Sequence, residues 1–145
     1  MKMTVAYASE RFSHFNALCF GSALPDVPIM LTRATTFLGK VRYKRRKRLF
    51  GQTENVDFQI RLSSEFDLPA NEWDDVIIHE MIHYQIARNN LRDTSTHGTV
   101  FRRMMDEINR KYGRHITVSH KTSPEATSPR MARERWHCIC VSKFP

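Results

Sequence analysis

Two histidines and a glutamate lie in one apolar segment with the spacing of a metal-dependent hydrolase. The residues His79-Glu80-Met81-Ile82-His83 follow the pattern H-E-x-x-H. On a helix, side chains four residues apart share one face, so both imidazoles can reach one tetrahedral metal ion. Glu80 would then lie beside the ion. The chemistry that this predicts is zinc-assisted hydrolysis, with Glu80 as the general base.

A buried structural helix with two hydrogen-bonded histidines is the alternative for this segment. Chance alone supplies the motif in roughly 2% of chains with these His and Glu counts, so the motif needs further support. Unpaired polar groups are costly to bury, however, and a metal ion would remove that cost. The metal site is therefore the favoured interpretation, provided that the chain supplies a third ligand.

The third ligand decides the class of site, because a catalytic zinc takes three protein ligands and leaves a fourth position for water. The metzincin spacing requires Gly and His at the positions where this chain has Ile86 and Asn89, so that class is excluded. Glu107, on a following helix, would match a thermolysin-like arrangement. It is equally well explained as part of a solvated helix face.

His97 is the better candidate for the third ligand. It lies 14 residues after His83, at the predicted start of the next helix. A polar loop of that length lets the chain reverse and bring the helix start back beside the first helix. Gly98 would let the backbone approach closely. A capping or surface histidine is the alternative for His97 considered alone.

Apolar periodicity and the positions of Gly and Pro predict the elements that would hold these residues. They predict three main helices packed on a small sheet, an α+β fold with the active-site helix at its centre. The expected helices cover residues 4–20, 71–90 with Asn71 as N-cap, and 97–112 with Gly113 as the stop. Expected strands cover residues 29–32, 37–44 at a sheet edge, 58–62 with Phe58, Ile60 and Leu62 facing the core, 115–118 and 136–140. Residues 119–130 are expected to form a surface loop.

The size and composition of the chain fit one globular domain. Its 145 residues are 41% hydrophobic and 26% charged. We expect a catalytic core at about residues 5–120, with residues 121–145 as a loop and terminal strand. No apolar run suits a membrane span, and the N-terminus lacks the apolar segment of a signal peptide. Three cysteines favour a reducing, intracellular and cytoplasmic location, and we assume a monomer.

The excess of basic residues predicts a polyanionic partner. Lys and Arg number 23 against 15 Asp and Glu, a formal net charge of +8. Residues 44–48 form an unbroken basic run that could be a solvated hairpin tip, a nucleic-acid contact or a nuclear localisation signal. Nucleic acid is the favoured partner, because Tyr43 and Phe50 flank the run and could stack on bases. The candidate DNA-binding residues are Lys44, Arg45, Arg46, Lys47 and Arg48.

Beyond the zinc motif, the chain resembles the SprT-like metalloprotease domain, the family of Spartan-type DNA–protein crosslink proteases. The match covers about residues 10–120. Its motifs, in order, are Phe15-Asn16, Phe20-Gly21, Leu24-Pro25, Val27-Pro28-Ile29, His79-Glu80-Met81-Ile82-His83, His97-Gly98-x-x-Phe101, Asn109 and Ile116-Thr117-Val118-Ser119-His120.

The resemblance implies a zincin-like minimal metalloprotease that binds one Zn²⁺ through His79, His83 and His97. It implies DNA and protein substrates as partners, and a nucleoid-associated or nuclear location if the protein is DNA-bound. Family members commonly carry a zinc-binding sub-domain after the core. Here Cys138 and Cys140 with a neighbouring histidine do not complete a tetrahedral site, so we expect either that the sub-domain is absent or that the chain is truncated.

Two alternatives remain open at the level of sequence. One is a general metallopeptidase whose basic surface recruits acidic proteins, and the other is a non-catalytic DNA-binding module with a structural zinc. The group that would stabilise an oxyanion is not visible, with His120 and Tyr84 as candidates. Hydrogen-bond partners for the ligand imidazoles are also open, with Asp74, Asp75 and Asp93 as candidates.

Overall fold

Three helices and a small sheet form the α+β arrangement that the sequence predicts. The computed structural model describes residues 1–119 and 141–143. None of the helices in these ranges is long and apolar enough to cross a membrane. A short 3-10 turn, Leu49–Gly51, joins the second strand to the third. The elements are α1 (Val5–Cys19), β1 (Ile29–Thr32), β2 (Gly39–Lys47), β3 (Thr53–Ser63), α2 (Ala70–Arg88), α3 (Thr99–Tyr112) and β4 (Val141–Lys143).

The sheet has the strand order β1-β3-β2-β4. Strand β1 is parallel to β3, β2 is antiparallel to β3, and β4 is parallel to β2. The prediction that β2 lies at an edge is wrong over residues 41–43, where β4 pairs with it. The alternation of apolar residues in β2 could not reveal this neighbour, because β4 comes from the far end of the chain.

Helix α2 lies at the centre of the molecule and packs against α1, α3, β2 and β3. It is buried around most of its circumference from Trp73 to Tyr84. Its predicted N-cap, Asn71, is wrong. Pro69 occupies the cap position with a φ of −58° and makes no side-chain hydrogen bond, so the helix begins at Ala70. Proline has a fixed φ and no N–H, which suits the start of a helix, and α2 begins two residues earlier than it would with Asn71 as the N-cap.

The predicted strand at residues 115–118 is also wrong, since this segment has no regular secondary structure. The side chain of Asn109 donates to the Ile116 carbonyl at 2.9 Å and accepts from the Ile116 N–H at 2.8 Å. These bonds satisfy the backbone without a neighbouring strand. The predicted strand at 136–140 lies outside the described residues, as does the predicted loop after residue 119.

Candidate metal centre

The imidazoles of His79 and His83 on α2 and of His97, just before α3, converge on one point. The Nε2 atoms of His79 and His83 lie 3.1 Å apart, and each lies 3.2 Å from Nε2 of His97. Nitrogen ligands of a tetrahedral zinc, each about 2.0–2.1 Å from the ion, are about 3.3–3.4 Å from one another. The three side chains therefore have the spacing of a ligand set, and they could hold a metal ion.

A hydrogen bond at Nδ1 of His79 leaves its Nε2 atom suited to bind a metal ion. Its Nδ1 lies 2.9 Å from the carbonyl oxygen of Thr117. A carbonyl only accepts hydrogen bonds, so Nδ1 carries the proton and Nε2 presents a lone pair to the cluster. The candidates Asp74 and Asp75 instead accept hydrogen bonds from arginines of α1 and of the segment after α3.

His83 is also held in the neutral form that binds metals. Burial is the main cause, and the neighbouring His79 and His97 add to it, so that the pKa of His83 is lowered to about 2. Neutral imidazole is the form that coordinates a metal ion. Three imidazoles that face one another, two of them buried and one half-buried, are therefore suited to a cation and unsuited to three added protons.

Glu80 is fully buried beside the histidines. Its Oε1 lies 4.0 Å from Nε2 of His79, and neither carboxylate oxygen has a hydrogen-bond partner among the described residues. Burial raises the pKa of the Glu80 carboxyl well above its ordinary value. A buried carboxyl group without a partner is costly. The orphaned oxygens therefore fit a site that receives further polar groups.

Asp93 fixes the start of α3 and hence the position of His97. Its carboxylate accepts hydrogen bonds from the backbone N–H groups of Val100 at 3.1 Å and Phe101 at 2.9 Å. These bonds replace the side-chain cap that Gly98, the N-cap residue, cannot provide. A Cβ on Gly98 would overlap the Asp93 carboxylate, so the close approach requires glycine at this position.

Phe101 forms the apolar wall of the cluster. Its ring centroid lies 4.8 Å, 4.5 Å and 4.8 Å from those of His79, His83 and His97, respectively. Phe101 is fully buried and lies one helical turn after His97. The ring restricts all three imidazoles, a role that was not predicted from the sequence.

Comparison with known proteins identifies the family of this chain. The model of the SprT-like family matches residues 8–121. This chain belongs to the SprT-like family. A curated relative, the DNA-dependent metalloprotease SPRTN of Bos taurus, is 38% identical over 71 residues. The match covers 48% of this chain and 14% of that relative, so the two proteins share one limited region.

The alternative third ligand, Glu107, and one candidate for stabilising an oxyanion, Tyr84, have their contacts away from the histidine cluster. Glu107, the alternative third ligand, is exposed and lines a separate cavity of about 250 Å³ with Cys19 and Tyr112. The hydroxyl of Tyr84 donates to the carbonyl of Pro25 at 3.2 Å. The other oxyanion candidate, residue 120, lies outside the described residues.

The side chains of the basic run at residues 44–48 have different contacts in the structure. Arg46 and Arg48 both form ion pairs with Glu54, the latter at 2.8 Å. The hydrogen bond from Arg46 is the main reason that the pKa of Glu54 is lowered. Arg45 instead lines a cavity of about 190 Å³ that also contacts His83. Lys44 lines a third space, on the outer face of the sheet.

Proposed function

We propose that this protein is a zinc-dependent endopeptidase that cleaves proteins bound or crosslinked to DNA. The observation that carries the proposal is the convergence of three Nε2 atoms, 3.1–3.2 Å apart, beside a buried glutamate. Membership of the SprT-like family supports the protease chemistry. The name of the bovine relative, a DNA-dependent metalloprotease, supports the link to DNA.

His79, His83 and His97 would hold the metal ion through neutral imidazoles. When bound, zinc would lower the pKa of a water molecule to about 7 and polarise a peptide carbonyl. Thr117 orients His79 through its carbonyl oxygen, and the Phe101 ring keeps bulk water from one side of the imidazoles. These contacts would hold the ligand set in place before a substrate arrives.

Glu80 would act as the general base and then as the general acid. Its carboxylate would take a proton from the attacking water and later give it to the leaving amine nitrogen as the peptide C–N bond breaks. The two carboxylate oxygens have no partner among the described residues, so they are available for a water molecule. A purely structural zinc site needs no such carboxylate, which favours a peptidase over a non-catalytic module.

The substitution Glu80→Gln tests the catalytic assignment. It removes the proton acceptor but keeps the size and shape of the side chain. We expect metal content per chain to be unchanged and peptidase activity to fall at least about 100-fold, the usual contribution of a general base. His97→Ala is the comparison variant, which should lose both the metal and the activity. Full activity in metal-loaded Glu80→Gln would sink the assignment.

The role of DNA requires a separate measurement. We expect DNA to stimulate cleavage of a DNA-bound protein, and neutralising residues 44–48 to weaken DNA binding and its dependence on salt. Cleavage that proceeds equally well without DNA would favour a general metallopeptidase. Unchanged affinity and salt dependence after neutralisation would remove the basic run from the DNA contact.

A further inference from the structure

The outer face of the sheet carries a row of basic side chains. Val41 and Tyr43 of β2 are buried, so the alternating residues from Lys40 to Lys44 lie on the face away from α2. Arg61 of β3 lies between two buried residues and takes the same outer face. This face is separate from the metal centre, because α2 and its histidines pack on the inner face of the sheet.

The strand register places like charges directly opposite each other. Lys40 pairs with Arg61 across the ladder, and Arg42 pairs with Gln59. Burial is the main reason that the pKa values of Lys40 and Arg42 are lowered, and the neighbouring Arg61 adds to it in both cases. Like charges opposite each other in a sheet are destabilising. Proteins break such local rules mainly at functional or strained sites, so the pair makes this face a candidate for binding.

A groove of about 450 Å³ lies over this part of the sheet. Arg42, Lys44, Gln59 and Arg61 line it, and Asp57 is the acid among the described lining residues. Arg61 Nε and Nη2 each lie 3.4 Å from Gln59 Oε1, so the guanidinium lies beside Gln59 in the groove lining. Three cations and one anion among these residues give the groove a positive potential.

We propose that this sheet groove, lined by Arg42, Lys44 and Arg61, binds the phosphate backbone of DNA. The inference rests on the proposed DNA-linked peptidase and names the surface that the DNA would contact. DNA is the expected ligand because its phosphates are negatively charged and the groove is positively charged. Guanidinium groups also present paired donors that match phosphate oxygens. The net charge of +8 would attract a polyanion to the whole molecule, and the groove supplies the donors that position it.

The groove is better suited to this role than the tip of the β2–β3 hairpin. At the tip, Glu54 neutralises much of the charge of Arg46 and Arg48 through its two ion pairs. Because α2 covers the inner face, DNA on the outer face would not cover the metal centre. The protein could then hold DNA and a protein substrate at the same time.

Fluorescence anisotropy with labelled single-stranded and double-stranded oligonucleotides tests the proposal on the full 145-residue chain. The groove variant carries Arg42→Gln, Lys44→Gln and Arg61→Gln. The matched control carries Arg46→Gln, Lys47→Gln and Arg48→Gln, which removes the same charge from the hairpin tip. Three lost phosphate contacts should reduce the slope of log K against log [salt] by about 2 to 3 and lower affinity at least tenfold. The control should reduce the slope by no more than about 1.

Each outcome has a distinct meaning. Equal losses in the two variants, or none in the groove variant, would overturn the groove as the contact while leaving DNA binding intact. Failure of the wild type to bind DNA would overturn the DNA part of the proposed function as well. Groove-dependent binding of polyglutamate without groove-dependent DNA binding would show a site for acidic polypeptides instead.

Thermal unfolding checks that the groove variant is folded. Because it removes a like-charge pair, it should melt at or above the temperature of the wild type. If the triple variant fails to fold, the single changes Arg42→Gln and Lys44→Gln replace it. Each should reduce the salt slope by about 0.7 to 0.9, and unchanged slopes in both would overturn the proposal.

Discussion

Gly39 makes room for the glutamate of the candidate site. A Cβ at this position would lie 3.1 Å from Cγ of Glu80 and 2.9 Å from Cδ2 of Leu62. We predict that Gly39→Ala displaces Glu80 and lowers kcat, while metal content per chain stays unchanged. Overpacking of this kind costs about 1–3 kcal/mol of stability. Peptidase kinetics and metal analysis of the folded variant measure the two effects.

Gly21→Ala is the matched control for this prediction. Gly21 has a φ of +59°, and a Cβ added to it would have no heavy atom within 4 Å, so alanine there strains the backbone without crowding. It should cost about 1–2 kcal/mol of stability and leave kcat unchanged. If both variants had the same kcat per folded molecule, Gly39 would have no positioning role.

Individual residues of the site differ in how far the sequence predicts them. The helical repeat places His79, Glu80 and His83 together, so their arrangement follows from local structure alone. His97 also needed an inference from loop length. The partner of His79 could not be predicted, because it is the backbone carbonyl of Thr117, 38 residues along the chain. Every residue has a carbonyl, so residue type carries no signal for this contact.

At the scale of elements, Asp93 couples the start of α3 to the third imidazole. Burial opposes the charge of its carboxylate, but hydrogen bonds from backbone N–H groups outweigh this effect and lower its pKa. We predict that Asp93→Ala destabilises the protein by about 1–2 kcal/mol, the value of a lost helix cap. Metal affinity should fall about 10-fold to 100-fold, since the loop that holds His97 loses its support. Metal titration and denaturant unfolding measure the two quantities.

Thr4→Ala is the control variant, because it removes a helix cap that is not connected to the metal site. Thr4 caps α1, where its side chain accepts a hydrogen bond from the Tyr7 N–H at 3.1 Å. Its loss should cost about 1 kcal/mol of stability and leave metal affinity unchanged. Equal metal affinities in the Asp93 and Thr4 variants would contradict the coupling.

Sequence periodicity predicts the helices correctly but fails where contacts with other residues determine the backbone. Periodicity predicted all three helices, because each buries one or more apolar faces along a continuous segment. The strand expected at residues 115–118 failed since Asn109 bonds both backbone groups of Ile116. The cap expected at Asn71 failed since Pro69 had already set the backbone for the helix. In both cases a single residue outside the predicted pattern, Asn109 or Pro69, decides the local backbone.

At the scale of the whole molecule, the site combines parts that are distant in sequence. Helix α2 supplies two imidazoles and the glutamate, the loop before α3 supplies His97, and β2 supplies the space at Gly39. The α+β class could be predicted from the elements alone. The assembly could not, because it depends on how α2 lies between the sheet and α3.

This assembly predicts that metal binding stabilises the whole fold. Without a cation, three imidazole Nε2 atoms lie only 3.1–3.2 Å apart, and two of them belong to buried side chains. A metal ion that binds the folded chain alone, at 100 times its Kd, adds about 2.7 kcal/mol of stability. For a chain of this size that corresponds to a rise in Tm of about 5–10 °C.

Thermal unfolding with a chelator, and then with added zinc, measures this effect. We expect Tm to fall on chelation and to recover with zinc in the wild type. Glu80→Gln should behave in the same way, because it keeps all three imidazoles. His97→Ala should show little response to zinc, because the ion then has only two protein ligands. A Tm that is the same with chelator and with zinc in the wild type would contradict the three-histidine site, since linkage requires a tightly bound ion to stabilise the state that binds it.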